Sequence, residues 1–250
     1  MKKRNVALNT DAHRPAFDAF AEYFADAGRR EGWRSTETLR KFLEVGARAI
    51  RGKTLFGPAF DENEAEYMRI VGACRYPQET MSDFSKMLGA VALAMAADPI
   101  DFVGPIFSEL SADAGMGQFF TPHHLSYTMA RMIVSDPRRI LDEKPFIALH
   151  EPACGVGGMI LATNAVLRES GVDVAREAHW HAVDVDYRAC CGAYLQLALS
   201  ETSAAVLHGN TLGLDAWSSM VTPAALIYPK LPISTQINPK PPVPAQLSLL

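Results

Sequence analysis

Glycines at 155, 157 and 158, set between the apolar runs Phe146-Ile147-Ala148-Leu149 and Met159-Ile160-Leu161-Ala162, leave this chain few local folds to choose from. Apolar run, glycine-dependent turn and second apolar run read as strand, tight turn and helix. The backbone N–H groups of such a turn, and the helix N-terminus behind it, can approach a ligand closely. In an open α/β sheet that crevice, at the carboxyl ends of the strands, is where ligands bind. A tight turn that holds no ligand is the alternative reading of the glycines taken alone.

The surrounding pattern extends the same architecture. Apolar runs at 146–149, 179–183 and 204–207 alternate with helical stretches at 157–169 and 187–200. This is the β-α-β-α-β order of a parallel sheet, with right-handed crossovers. Asp184 ends the second run, 33 positions after Glu151, where a carboxylate can accept hydrogen bonds from both hydroxyls of a ribose. Asn210 follows the third run in His208-Gly209-Asn210-Thr211-Leu212, with an amide able to pair with an adenine edge. Three strand ends would then converge on one nucleotide-like ligand.

Upstream, the period changes to that of helices. Phe17, Phe20 and Phe24, then Leu39, Phe42, Leu43 and Ile50, recur at three- and four-residue spacing. Ser35-Thr36 marks the start of the second helix and Arg51-Gly52 its stop. Further helices are expected over 62–74, 78–97 and 101–112, with Met81, Met87, Leu88, Val91, Leu93 and Met95 buried as core. Another should begin at Thr121-Pro122, Thr as N-cap and Pro in the first turn. The fold class is therefore α/β, an N-terminal helical region followed by a partial Rossmann-like sheet. The divisions fall at 1–113 (helical), 114–228 (α/β) and 229–250 (proline-rich tail).

Seven of the 16 prolines lie in the last thirty residues. Proline cannot donate to a strand ladder, so Ala224-Ala225-Leu226-Ile227-Tyr228 is the one remaining candidate strand, and 230–250 is expected to be extended and poorly ordered. No run approaches the ~18 apolar residues of a membrane span, and Met1-Lys2-Lys3-Arg4-Asn5 lacks the apolar core of a secretory signal, which points to the cytoplasm. Cysteines 74, 154, 190 and 191 have neither zinc-site nor disulfide-framework spacing, and read as reduced thiols; no metal site is expected. Residues 1–53 carry 12 Lys/Arg against 7 Asp/Glu, and the remainder is acidic. If DNA is bound, this first third is the contact; a solvated helical surface is the alternative.

Two blocks in order, Gly117-Gln118-Phe119-Phe120-Thr121-Pro122 and Glu151-Pro152-Ala153-Cys154-Gly155-Val156-Gly157-Gly158, resemble those of the N6-adenine DNA methylase family, in particular the modification subunits of type I restriction systems. The first block matches that family's GQFFTP. The second has Glu151 for the usual Asp and Val156 for the usual Ser, keeping the acid and the glycines. The resemblance covers roughly residues 100–215 and implies S-adenosylmethionine as cofactor. By it, Glu151, Ala153 and the Gly155, Gly157 and Gly158 loop meet the methionine part, and Gln118, Phe119, Phe120 and Thr121 close over it. Asp184 then holds the ribose and Asn210 the adenine ring. His123 and His124 read as helix-surface or packing residues, and Cys154 as an inert small residue.

The family's catalytic Asn/Asp-Pro-Pro-aromatic tetrad, which must grip a flipped adenine, has no counterpart here. Leu226-Ile227-Tyr228-Pro229-Lys230 is nearest by position and Asn238-Pro239-Lys240-Pro241-Pro242 by letter; neither qualifies, so no catalytic residue is assigned. Three functions remain in play. One is a DNA adenine methyltransferase that relies on a partner subunit for catalysis or sequence recognition; the second is a non-catalytic cofactor-binding regulator or assembly subunit. The third, a remnant with neither activity, fits poorly with intact glycines and acids.

Overall fold

A computed structural model describes residues 13–113 and 121–230, apart from the side chains of 111–113. Five helices come first: α1 (Arg14–Glu31), α2 (Ser35–Arg51), α3 (Pro58–Gly72), α4 (Pro77–Ala97) and α5 (Val103–Asp113). Prolines in the first turns of α1, α3 and α4 supply the helical φ where no N–H is needed. Gly32 ends α1 at φ 75°, its N–H bonding Gly28 O. After α6 (His123–Ile133) and α7 (Pro137–Glu143) the chain runs β1 (Ile147–Glu151), α8 (Gly158–Glu169), β2 (Ala178–Asp184), α9 (Tyr187–Leu199), β3 (Ala204–Asn210), β4 (Asp215–Val221) and α10 (Pro223–Ile227).

The sheet order is β1-β2-β3-β4, with β1, β2 and β3 parallel and β4 antiparallel to β3. Because β1, β2 and β3 advance in one direction, right-handed crossovers put α8 and α9 on the same face. That face buries Ile147, Ala178, Trp180, Ala182, Ala204, Val206 and Met220. Trp180 Nε1 donates to Asn164 Oδ1 of α8 (2.9 Å), and Asn164 Nδ2 donates to Thr202 Oγ1 (2.9 Å), so the buried polar atoms there are paired. The opposite face shows Ala148, His150 and His181 to solvent. A parallel sheet is usually covered on both sides, and among the described residues this face is left open at these positions on β1 and β2.

α9 is the hub. From Ala189 to Leu197 it is buried throughout, packed between β2 and β3 on one side and α2 and α4 on the other. One apolar cluster therefore runs from Phe20, Phe42, Phe84 and Met87 to Trp180, Tyr194 and Leu195. Phe20 meets Phe42 and Phe102 edge-on at 5.3 and 5.5 Å between centroids. Each such buried side chain contributes about 1.5–3 kcal/mol of transfer free energy.

Several expectations change. Leu93 is 72% exposed, on the outer side of α4, while Met87, Val91 and Met95 are buried and Met81 and Leu88 half-buried. The 224–228 segment is the helix α10 and not a strand: Pro223 sits in its first turn, and Ala225 and Leu226 bond back to Thr222 O. β4, an antiparallel strand over 215–221 with no apolar alternation, and the short α7 carry little periodic signal. α6 begins at His123 with Pro122, not Thr121, as its N-cap; Pro122 O accepts from Leu125 and Ser126 N–H. The 230–250 tail, apart from Lys230, lies outside the described residues, as do Lys2, Lys3 and Arg4. Among the described residues no helix is long and apolar enough to cross a membrane.

Candidate functional site

β1 delivers Glu151 and then turns sharply. Gly155 (φ 53°) and Gly157 (φ 94°) occupy the left-handed region that disfavours a side chain, and α8 starts at Gly158. Cys154 N–H donates to Val183 O at 2.8 Å, extending the β1–β2 ladder into the loop. Gly157 N–H donates to Cys154 O at 2.8 Å and closes the turn. Glu151 Oε1 accepts from Ala153 N–H at 3.3 Å.

The strand tips are tied to this loop. Asp184 Oδ2 accepts from Gly155 N–H at 2.8 Å and Oδ1 from Asp186 N–H at 2.8 Å. A carboxylate has about four acceptor positions, so two remain for a ligand. Thr211, next to Asn210, donates its hydroxyl to Pro152 O at 2.6 Å, joining the end of β3 to the loop after β1. Asn210 Oδ1 accepts from Leu212 N–H at 3.0 Å, which turns the chain back and leaves the Nδ2 group without a hydrogen bond among the described residues. The register is staggered: Glu151 pairs with Ala182, two residues before Asp184, and Asp184 with His208, two before Asn210.

Glu151, Ala153, Gly155, Gly157, Gly158, Asp184 and Asn210 thus stand at one end of three adjacent strands. Thr121 is exposed ahead of α6. Gln118, Phe119 and Phe120 lie outside the described residues. All four cysteines are buried, and burial, with Asp184 and Glu151 nearby, pushes the Cys154 thiol well above its ordinary range. It is a packing group. His124 is exposed, but His123 has its Nδ1 buried with no hydrogen-bond partner among the described residues. Of the basic residues in the first third, Arg30 pairs with Asp83 at 2.5 Å, and Arg48 bonds Glu44 and the Tyr187 hydroxyl.

The sequence reading overlooked five residues. Thr211 makes the bond to Pro152. Val185 and Leu212, 60% and 98% exposed, are apolar side chains at the β2 and β3 tips, suited to the faces of a flat ring; their place beside Asp184 and Asn210 is the signal that could have found them. Gln196 and Asp101 had no such signal. Gln196 Oε1 accepts from Phe102 and Val103 N–H, and its Nε2 donates to Val156 O inside the glycine loop and to Asp101. Residues 95 apart in sequence meet only in the fold.

A glycine loop at a helix N-terminus, a carboxylate with spare acceptor positions and a free amide on successive tips fit S-adenosylmethionine. The family comparison agrees with that fit. The family model for N-6 DNA methylase matches residues 106–238. A protein assigned as a class I S-adenosylmethionine-dependent methyltransferase from Listeria monocytogenes, solved at 2.20 Å, is similar over 81% of this chain and 54% of its own, at 12% identity and TM-score 0.43. This chain thus spans about half the length of that protein. No curated protein matches the sequence.

Proposed function

Because this chain belongs to the N-6 DNA methylase family, whose cofactor is S-adenosylmethionine, we propose that it holds that cofactor for methyl transfer to the amino nitrogen of adenine in DNA, with a partner chain completing the target-base site. Glu151 and the Gly155–Gly158 loop hold the methionine end, Asp184 the ribose, and Asn210, Val185 and Leu212 the adenine. Bound S-adenosylmethionine supplies a sulfonium-activated methyl group. The chain's own residues position it and cover part of it.

The observation that carries the partner dependence is where the sheet stops. After β3 the chain turns back as antiparallel β4 and then coils into α10, so no fourth parallel strand follows among the described residues. Among the described residues no strand lies beyond β1, and Ala148, His150 and His181 on the uncovered face are exposed. A flipped adenine needs acceptors for its amino group and an aromatic ring to stack on. The Asn/Asp-Pro-Pro-aromatic run that would supply both together does not occur in this sequence. A second chain laid on this edge and face would supply them, and the basic first third offers phosphate contacts.

The test is incubation of the purified chain with adenine-containing duplex DNA and methyl-labelled cofactor, beside calorimetric titration of the cofactor alone. Binding without incorporation supports the reading, and incorporation by the isolated chain overturns the partner dependence. The same observation, a cofactor half with no base-gripping half among the described residues, also favours a second reading, a non-catalytic cofactor-binding regulator or assembly subunit. Incorporation that appears on adding host extract separates the first from the second.

A further inference from the structure

Asp101 stands just before α5 and outside the residues that the family model matches. Its carboxylate is divided in its bonding. Oδ1 accepts from Gly104 N–H at 2.8 Å and from Gln196 Nε2 at 3.0 Å, while Oδ2 has no hydrogen bond among the described residues. Oδ2 lies against Gly158, the first residue of α8, where a Cβ would collide with it. A half-buried carboxylate is thus fixed by one oxygen and presents the other to the glycine loop.

We propose that Asp101 is a cofactor-binding residue, whose Oδ2 accepts hydrogen bonds from the α-ammonium group of the methionine moiety of S-adenosylmethionine. The inference rests on the cofactor reading above and names the group that recognises one end of the ligand. That end carries one anion and one cation. The free N–H groups at the start of α8 suit the carboxylate, and the ammonium needs an acceptor of opposite charge within reach of the same helix end. Asp101 is there, held by Gly104 and Gln196, with Oδ2 set between Gly104 and Gly158 and free of hydrogen bonds among the described residues.

Two further observations fit. Burial raises the Asp101 carboxyl above its ordinary range, so the ionised form gains from an incoming cation. His123 lies within electrostatic reach of Asp101, and its buried Nδ1 is also without a hydrogen-bond partner among the described residues. An unmet carboxylate oxygen beside a glycine loop marks a place where a polar ligand completes the bonding.

The experiment compares wild type with Asp101→Asn by calorimetric titration of three ligands: S-adenosylmethionine, S-adenosylhomocysteine and 5′-methylthioadenosine, which lacks the amino-acid arm. Asn at this site keeps an acceptor for Gly104 and Gln196 and puts an NH2 donor in place of Oδ2, which removes the charge and the acceptor proposed for the ammonium. The expected result is a loss of roughly 10- to 100-fold in affinity for the first two ligands, with 5′-methylthioadenosine bound within about twofold of wild type. Equal binding of S-adenosylmethionine by both proteins overturns the proposal. So does an equal loss for all three ligands, because the residue would then act through the fold. If wild type binds no S-adenosylmethionine at all, the cofactor reading itself fails, a separate outcome from either.

Discussion

Gln196 donates one amide proton to the Asp101 carboxylate at 3.0 Å and the other to the Val156 carbonyl at 2.7 Å. A single fully buried side chain on α9 therefore fastens the start of α5 and the glycine loop to each other. Its oxygen takes the N–H groups of Phe102 and Val103 at 2.8 and 3.0 Å. All four hydrogen-bonding positions are filled, which is what a buried amide requires.

Replacing Gln196 with Leu fills similar space but strips two backbone donors and a carbonyl of their partner. Each orphaned group costs about 1–3 kcal/mol. The variant should lose roughly 3 kcal/mol or more in urea-induced unfolding; a loss under about 1 kcal/mol would mean that water or a neighbour takes over the bonds.

Gly157→Ala puts a side chain at φ 94°, where an L-residue is strained. The expected cost is about 1–2 kcal/mol, a fall in Tm of about 2–8 °C. Gly89→Ala, in the interior of α4 with open space around the added Cβ, should do the reverse and stabilise by about 0.5–1 kcal/mol. Opposite signs in thermal melts of the two variants are the check.

Gly158 and Asp101 should be energetically coupled, because a Cβ on the first collides with the carboxylate of the second. Gly158→Ala is expected to destabilise the wild type by about 1–3 kcal/mol and to cost much less in an Asp101→Ala background. A double-mutant cycle by denaturant unfolding reads this, and strict additivity would contradict the contact.

Asp184→Ala removes the acceptor for Gly155 and Asp186 N–H and the proposed ribose ligand together. Cofactor affinity should fall by roughly tenfold or more, for 5′-methylthioadenosine as well as S-adenosylmethionine, since both carry the ribose. That pattern differs from the one expected at Asp101. Titration calorimetry that finds 5′-methylthioadenosine binding unchanged would refute the ribose assignment.

Burial holds the imidazoles of His179 and His208 below their ordinary range, with the nearby Lys230 adding to the effect at His179. A histidine whose folded value is depressed adds stability above its unfolded value of 6.5, and that stability is lost as pH falls through the folded value. Unfolding free energy should therefore decline on acidification below about pH 6.5. His179→Gln should flatten the decline; Gln can still accept or donate toward Ser203 Oγ, which now lies 3.0 Å from His179 Nδ1.

The strand-turn-helix unit was legible before any coordinates because its signals are local. Glycine at 155 and 157 answers to a backbone conformation that other residues resist, and the apolar runs at β1, β2 and β3 follow from burial in a parallel sheet. Glu151, Asp184 and Asn210 could be named because a strand end lies at a fixed place after its apolar run. The helices of the first hundred residues were visible for the same reason, in the period of Phe20, Phe24, Leu39 and Phe42.

Other features were decided by tertiary contact. β4 exists because β3 offers it an edge, and its own sequence, Asp215-Ala216-Trp217-Ser218-Ser219-Met220-Val221, has no strand period. The segment from Ala224 to Ile227 has the apolar content of a strand yet coils, since Pro223 favours a helix start and the ladder is already closed by β4. Leu93 looked like core but faces out, because neighbours cover only one side of α4. Gln196, Asp101 and Gly158 form a set that no spacing foretells: hydrogen bonds and steric exclusion join atoms that are close in space, and nothing in the chain's order records which distant atoms those will be.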